Sequence, residues 1–135
     1  MKPSVPAAVA NLAALLRDDI APALTGFRAG NAGMAAAMFD MVAEEWDRAA
    51  ARLVAENAAL RAVLTRGGIE HAPGPDADLR VSALEVANEA LRERLITLHA
   101  AVEQRDDADA RSLENAIWDV LRASVENRRI ASANF

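Results

Sequence analysis

The feature that most constrains this chain is a heptad repeat of apolar residues in two long segments. In the later segment the steps between repeat positions alternate between four and three residues, through Leu84, Asn88, Leu91, Leu95, Leu98 and Val102. The earlier segment has Phe39, Trp46, Leu53 and Leu60 at one heptad position, and Val42, Ala49, Glu56 and Val63 at the other. Such repeats predict helices that pack lengthwise as in a coiled coil, with Glu56 as the one break in the apolar pattern.

The composition favours the same class of fold. Alanine, the best helix former, is abundant, whereas aromatic residues are 4% of the chain and tyrosine is absent. A length of 135 residues suits a single helical domain over residues 1–135. The net charge of −5 argues against a nucleic-acid partner, which a basic surface would bind. We therefore predict an all-α protein.

Local signals predict four helices. Ser4 is a suitable N-cap for the first helix, whose face Val5, Val9, Leu12, Leu16 and Ile20 is apolar, and Pro22 ends or kinks it. The glycines between Thr25 and Gly33 predict a break. The remaining helices are predicted from about Ala32 to Thr65, from Asp76 or Asp78 to about Gln104, and from about Ala110 to Asn127. We expect a four-helix bundle built around a long antiparallel, coiled-coil-like hairpin of helices two and three.

The hairpin predicts a polar pair within the apolar seam. If the chain turns near residue 72 or 73, Asn57 faces Asn88, and Trp46 lies beside His99. A buried pair of amides fixes the register, because a slipped alignment leaves both amides without partners, at a cost in stability. Replacing both asparagines with leucine is therefore expected to raise the melting temperature.

One candidate pocket follows from the same register. Glu45, Trp46 and His99 would provide a carboxylate, an aromatic wall and an imidazole for a small ligand. The alternative is a histidine at the edge of the core, with its ring partly in water. The Met34, Met38 and Met41 series at helical spacing is interpreted as core filling, since methionine packs adaptably.

Little in the sequence favours catalysis or cofactor chemistry. There are no cysteines, and His71 and His99 each lack an acidic residue three positions earlier, as a di-metal carboxylate bundle would require. We predict no metal, no cofactor and no catalytic residues, and a protein that is not an enzyme. No apolar run is long enough for a membrane span, and the lack of cysteine fits a cytoplasmic location.

The fourth helix has a wider apolar face than a small bundle requires. Trp118 and Val125 widen the stripe that includes Leu121, and these three residues form a candidate interface. A second copy of the chain would cover it, so that a homodimer is expected; another protein is the other possible occupant.

The chain weakly resembles a family of small, uncharacterised helical bacterial proteins, often encoded beside aminoglycoside-phosphotransferase-like and acyl-CoA-dehydrogenase-like proteins. The similar patches are residues 18–26, 38–46, 121–125 and 131–135. The family carries an arginine and an asparagine where this chain has Gly33 and Ala37. The resemblance implies an accessory or partner role. Our first hypothesis is a non-catalytic interaction module, a dimeric scaffold or accessory subunit of a cytoplasmic enzyme; the alternative is a ligand-binding protein using the candidate pocket.

Overall fold

The computed structural model describes residues 2–71 and 74–133. Its four α-helices are α1 (Val5–Ala14), α2 (Gly26–Arg66), α3 (Val81–Val102) and α4 (Ala108–Asn127), and a π-helical segment, Leu15–Ile20, and a 3-10 turn, Ala21–Ala23, follow α1. No strand occurs within these described ranges. The predicted all-α class is therefore confirmed.

The first helix begins where the sequence predicts, but its face is different. The Ser4 carbonyl accepts a hydrogen bond from the Ala8 amide at 2.9 Å. Pro22 lies in the 3-10 turn, so the helix ends close to the predicted position. The predicted face is wrong, because Leu12 is exposed and the fully buried residue is Ala13. The residue that α1 buries is therefore a small one.

The second helix begins at Gly26, and the predicted break from Thr25 to Gly33 is therefore wrong. Gly30 and Gly33 each cost about 1 kcal/mol of helix propensity, which the surrounding alanines and methionines offset. The helix ends at Arg66, one residue beyond the prediction. There Gly68 takes a φ of 69°, and the Ile69 amide reaches back to the Leu64 carbonyl at 2.9 Å, the capping arrangement that glycine favours.

The last two helices begin within a few residues of their predicted positions. The Asp78 carboxylate accepts from the Arg80 amide at 3.0 Å, so it caps the turn before α3 and the helix begins at Val81. Asp107 caps α4 by accepting from the Ala110 amide at 2.9 Å. A capping aspartate therefore sets the start of α4. The N-cap residue of α3 is Arg80, without a side-chain capping hydrogen bond, so the predicted N-cap at Asp76 or Asp78 is wrong.

The chain divides into two compact units, which are described separately. The N-terminal unit contains Met1–Ala49 and Ile130–Phe135, and the helical core unit contains Ala50–Arg129. The buried apolar side chains described in the N-terminal unit are alanines: Ala13, Ala32, Ala36 and Ala49. The single domain over residues 1–135 stays a prediction.

The helical core unit has a core of larger side chains from three helices. Its α3 buries Leu84, Asn88, Leu91, Leu95, Leu98 and Val102, the six residues of the predicted seam. The last four of these residues pack with the end of α2 and with α4 in a cluster that includes Leu60, Leu64, Leu113 and Ile117. The heptad prediction for α3 is therefore confirmed.

The predicted antiparallel direction of helices two and three is wrong. Asn57 of α2 contacts Asn88 of α3. Gly67, ten residues after Asn57 and directly after the end of α2, lies against Leu98, ten residues after Asn88. The end of α2 and α3 therefore run in the same direction. The linker of residues 67–80 is long enough to return along α2, whereas an antiparallel hairpin would need a short turn. The predicted turn at residues 72 and 73 lies outside the described residues.

The linker and α4 complete the helical core unit. The Asp76 carboxylate accepts from Arg61 Nη2 at 2.5 Å and from Asn57 Nδ2 at 3.1 Å, which holds the linker against α2. These contacts lower the pKa of Asp76, with the Arg61 hydrogen bond as the main cause. Near the start of α4, Ser112 accepts a hydrogen bond from Arg66 at the end of α2. Near the end of α4, Ser124 contacts Glu56, ten residues earlier in α2. The α4 helix therefore runs opposite to α2 and α3.

Candidate functional site

A buried carboxylate, Glu56 of α2, binds side chains from α3 and from the end of α4. Its side chain is 2% exposed. The surrounding donors are Asn88 Nδ2 at 3.0 Å, Arg92 Nη2 at 2.7 Å, Arg128 Nη2 at 3.0 Å and Ser124 Oγ at 3.1 Å. We call Glu56 and these four residues the Glu56 cluster. Because one carboxylate serves two guanidinium groups, the cluster joins α2, α3 and the end of α4.

The charge on Glu56 is stabilised in spite of its burial. Burial alone would raise the pKa of this carboxyl group, but hydrogen bonds from Arg92, Asn88 and Arg128 outweigh that effect and lower the pKa to about 2. The group is therefore ionised at neutral pH. The sequence marked Glu56 only as a break in the heptad; an acid in an apolar seam is itself a sign that basic partners lie nearby.

The predicted asparagine pair adjoins the Glu56 cluster, of which Asn88 is a member. Asn88 Nδ2 donates to Asn57 Oδ1 at 2.9 Å, so the structure brings the two amides together. Asn57 also donates to the Leu84 carbonyl at 3.2 Å, in addition to Asp76. The two side chains therefore satisfy a buried acid, the linker and a helix carbonyl; their role in fixing register stays a prediction.

A shallow cleft of about 240 Å³ adjoins the Glu56 cluster. It is lined by Arg52, Leu53, Glu85, Asn88, Glu89, Arg92 and Arg128. Three arginines face two lining glutamates as well as Glu56, so the cleft offers no strong field of one sign. We interpret the Glu56 cluster as a structural clamp, that is, a set of ion pairs and hydrogen bonds that holds the three helices together.

The structure gives His99 different neighbours from the predicted ones. Its ring lies edge-on to Trp118, with centroids 5.4 Å apart and planes at 87°, and Nε2 lies 3.6 Å from Glu103 Oε1. Glu45 and Trp46 belong to the N-terminal unit, where Trp46 is 61% exposed. The pocket of Glu45, Trp46 and His99 stays a prediction. Within the core unit, Trp118 supplies the aromatic contact to His99.

The three residues of the candidate interface share one groove on α4. Trp118, Leu121 and Val125 line it together with Arg122 and Glu126, and its volume is about 390 Å³. Trp118 is 43% exposed and Val125 is 66% exposed. We call this surface the α4 face.

A second exposed apolar surface lies on the N-terminal unit. It consists of Phe27, Met34, Met38, Val42 and Trp46, which are between 50% and 84% exposed and which we call the α2 stripe. The interpretation of the methionines as core filling is wrong for Met34 and Met38. The buried apolar side chains described in this unit are alanines, and the five larger side chains of the stripe are exposed.

The C-terminal segment of the N-terminal unit is attached through Glu44. Its carboxylate accepts from the Ala131 and Ser132 amides at 2.9 and 3.0 Å and from Ser132 Oγ at 2.9 Å. The two amide hydrogen bonds are the main cause of a pKa lowered to about 2. Glu44 also forms an ion pair with Arg48, one turn later in α2. The acidic residues of α2 therefore include one with a specific structural role.

Comparison of the chain with models of known protein families, with curated proteins and with solved structures gave no match. The resemblance to the bacterial family stays a prediction. Within residues 2–71 and 74–133, no helix has the length and apolar character to span a membrane. In the same part of the chain, no three acidic, histidine or cysteine side chains are grouped as metal ligands.

Proposed function

We propose that the protein is a non-catalytic helical interaction module, a homodimeric scaffold or accessory subunit of a cytoplasmic enzyme. The observation that carries this proposal is the α2 stripe. Its five large apolar side chains extend from Phe27 to Trp46, a length of about 28 Å along the helix. Contiguous exposed apolar surface of this kind marks protein interaction sites, and tryptophan is enriched among the residues that dominate binding.

The composition of the stripe suits a protein partner. Methionine side chains are flexible and polarisable, so they adapt to a partner surface, and Trp46 offers a rigid aromatic anchor. An amphipathic helix in a partner protein could lie along this length of α2. The resemblance to proteins encoded beside enzymes supports an enzyme as that partner, and the absence of cysteine supports the cytoplasm as its location.

The test is native mass spectrometry of the tagged chain recovered from its own host. We expect a complex that contains a second protein at a fixed ratio, and loss of that protein from a Met38→Glu variant. The matched control is Ala51→Glu, because Ala51 is exposed on the same helix away from the stripe.

The partner is then purified and mixed with both variants to measure binding directly. A wild-type chain that carries no second protein would contradict the role as accessory subunit. Equal binding by wild type and Met38→Glu would remove the α2 stripe as the docking surface.

A further inference from the structure

We propose that the α4 face binds the same face of a second copy of this chain, with the two α4 helices antiparallel across a two-fold axis. This inference rests on the homodimer in the proposed function and assigns its interface. The axis passes between Leu121 and Arg122, at the centre of the groove.

The spacing of the groove residues determines where the two-fold axis lies. Trp118, Leu121, Arg122 and Val125 follow the i, i+3, i+4, i+7 pattern, which forms one contact patch on a helix. A two-fold axis through the middle of this patch sets Trp118 against Val125 of the second copy. The same axis sets Leu121 against the aliphatic stem of Arg122. Each copy then covers the apolar side chains that the other exposes.

Charges at the two ends of the patch are complementary in this arrangement. Glu114 lies four residues before Trp118 on the same side of α4. Arg129 lies two residues beyond the end of α4, and its guanidinium is 3.2 Å from Glu126, which lines the groove near its other end. The axis therefore brings Glu114 of each copy opposite Arg129 of the other, which forms two equivalent ion pairs. A self-complementary face with this symmetry fits a second copy rather than an unrelated partner.

The remaining charges in the groove do not oppose this contact. Arg122 Nη1 lies 2.9 Å from Asp119 Oδ1 of its own helix, so its guanidinium is neutralised while its stem covers apolar surface. Arg129 forms an exposed ion pair with Glu126 at 3.2 Å, which is weak and can be exchanged for one across the dimer.

Trp118 is prepared for binding before the second copy arrives. Its ring is held by the edge-on contact with His99, although 43% of the residue is exposed. A side chain that is already ordered loses less conformational entropy on association. Trp118 is therefore the expected anchor of the interface.

The experiment is sedimentation equilibrium over a series of concentrations up to about 100 µM, a range that detects weak dimers. The variants are Val125→Glu, Glu114→Arg, the double charge exchange Glu114→Arg with Arg129→Glu, and Met38→Glu from the α2 stripe. Ala123→Glu is the control, because residue 123 is exposed on the other side of α4. Circular dichroism confirms that each variant remains helical.

We expect a wild-type dimer that dissociates on dilution, at least about ten-fold weaker association for Val125→Glu and Glu114→Arg, and recovery in the charge exchange. The control should match the wild type. A dimer that is lost only in Met38→Glu would overturn this inference and leave the homodimer of the proposed function intact. A wild-type chain that is monomeric at every concentration would overturn both the inference and the homodimer.

Discussion

Replacing Glu56 with glutamine should destabilise the helical core unit through the loss of one charge. The substitution keeps the size of the side chain but leaves Arg92 and Arg128 without their shared carboxylate. A glutamine amide also turns a donor toward these cationic donors. The change therefore tests the clamp role of the Glu56 cluster rather than the packing around it.

The lowered pKa sets the size of the effect. Folding lowers the pKa of Glu56 from 4.5 to about 2. At about 1.4 kcal/mol for each pKa unit, the ionised carboxylate contributes at most roughly 3 kcal/mol to unfolding free energy at neutral pH. The side chains of Arg92 and Arg128 are 37% and 44% exposed, so water screens part of the interaction. We therefore expect a loss of about 2 kcal/mol.

The pH dependence separates this charge effect from a packing effect. Because the folded pKa is the lower one, the stabilisation is fully present above about pH 4.5 and is lost as the pH falls toward 2. Urea unfolding of wild type and Glu56→Gln should thus differ at pH 7 and converge near pH 2. The control is Glu89→Gln, a change at an exposed residue that lines the cleft, and its unfolding free energy should match that of the wild type. An equal difference at both pH values would refute the reasoning.

Three further changes test other contacts. The double replacement of Asn57 and Asn88 with leucine should lower the melting temperature by about 5 °C or more, because it removes donors to buried acceptors. Calorimetry measures the change. A rise in the melting temperature would instead agree with the expectation from the sequence alone. In urea unfolding, Gly67→Ala should cost about 1–3 kcal/mol, since its Cβ would lie 2.5 Å from a buried leucine of α3, whereas Gly30→Ala, with open space around it, should stabilise by about 0.5–1 kcal/mol. Glu44→Ala should accelerate tryptic cleavage at the arginines before the C-terminal segment, followed by mass spectrometry; an unchanged rate would contradict the attachment.

The sequence predicted those parts of the fold that depend on local periodicity and capping. The six seam residues of α3 are the six that it buries, because a regular heptad leaves one face for the core. The end of α2 was predicted within one residue, because Gly67 and Gly68 follow directly. The start of α2 was not, because isolated glycines weaken a helix without ending it.

Of the two exposed apolar surfaces, the sequence predicted the α4 face but not the α2 stripe. Trp118, Leu121 and Val125 share one groove because an interface patch on a single helix depends only on helical spacing. The α2 stripe was missed because periodicity cannot tell a face that meets the core from one that meets solvent. In the N-terminal unit four alanines are buried while the five larger residues of the stripe are exposed, which reverses the usual order of burial.

The direction of α3 relative to α2 is the feature of the fold that local sequence patterns could not predict. An apolar seam packs equally well against a parallel or an antiparallel neighbour, so the heptad alone does not give the direction. The pairing of Asn57 with Asn88 was predicted from an antiparallel turn, and the structure forms it between parallel helices. Polar groups distinguish the two arrangements. In the parallel one, Asp76 of the returning linker meets Asn57 and Arg61, and Glu56 meets Arg92 one turn beyond Asn88. Buried charges without partners are costly, so the arrangement that satisfies Glu56 and Asp76 together is favoured, and these two acids carry information that the seam lacks.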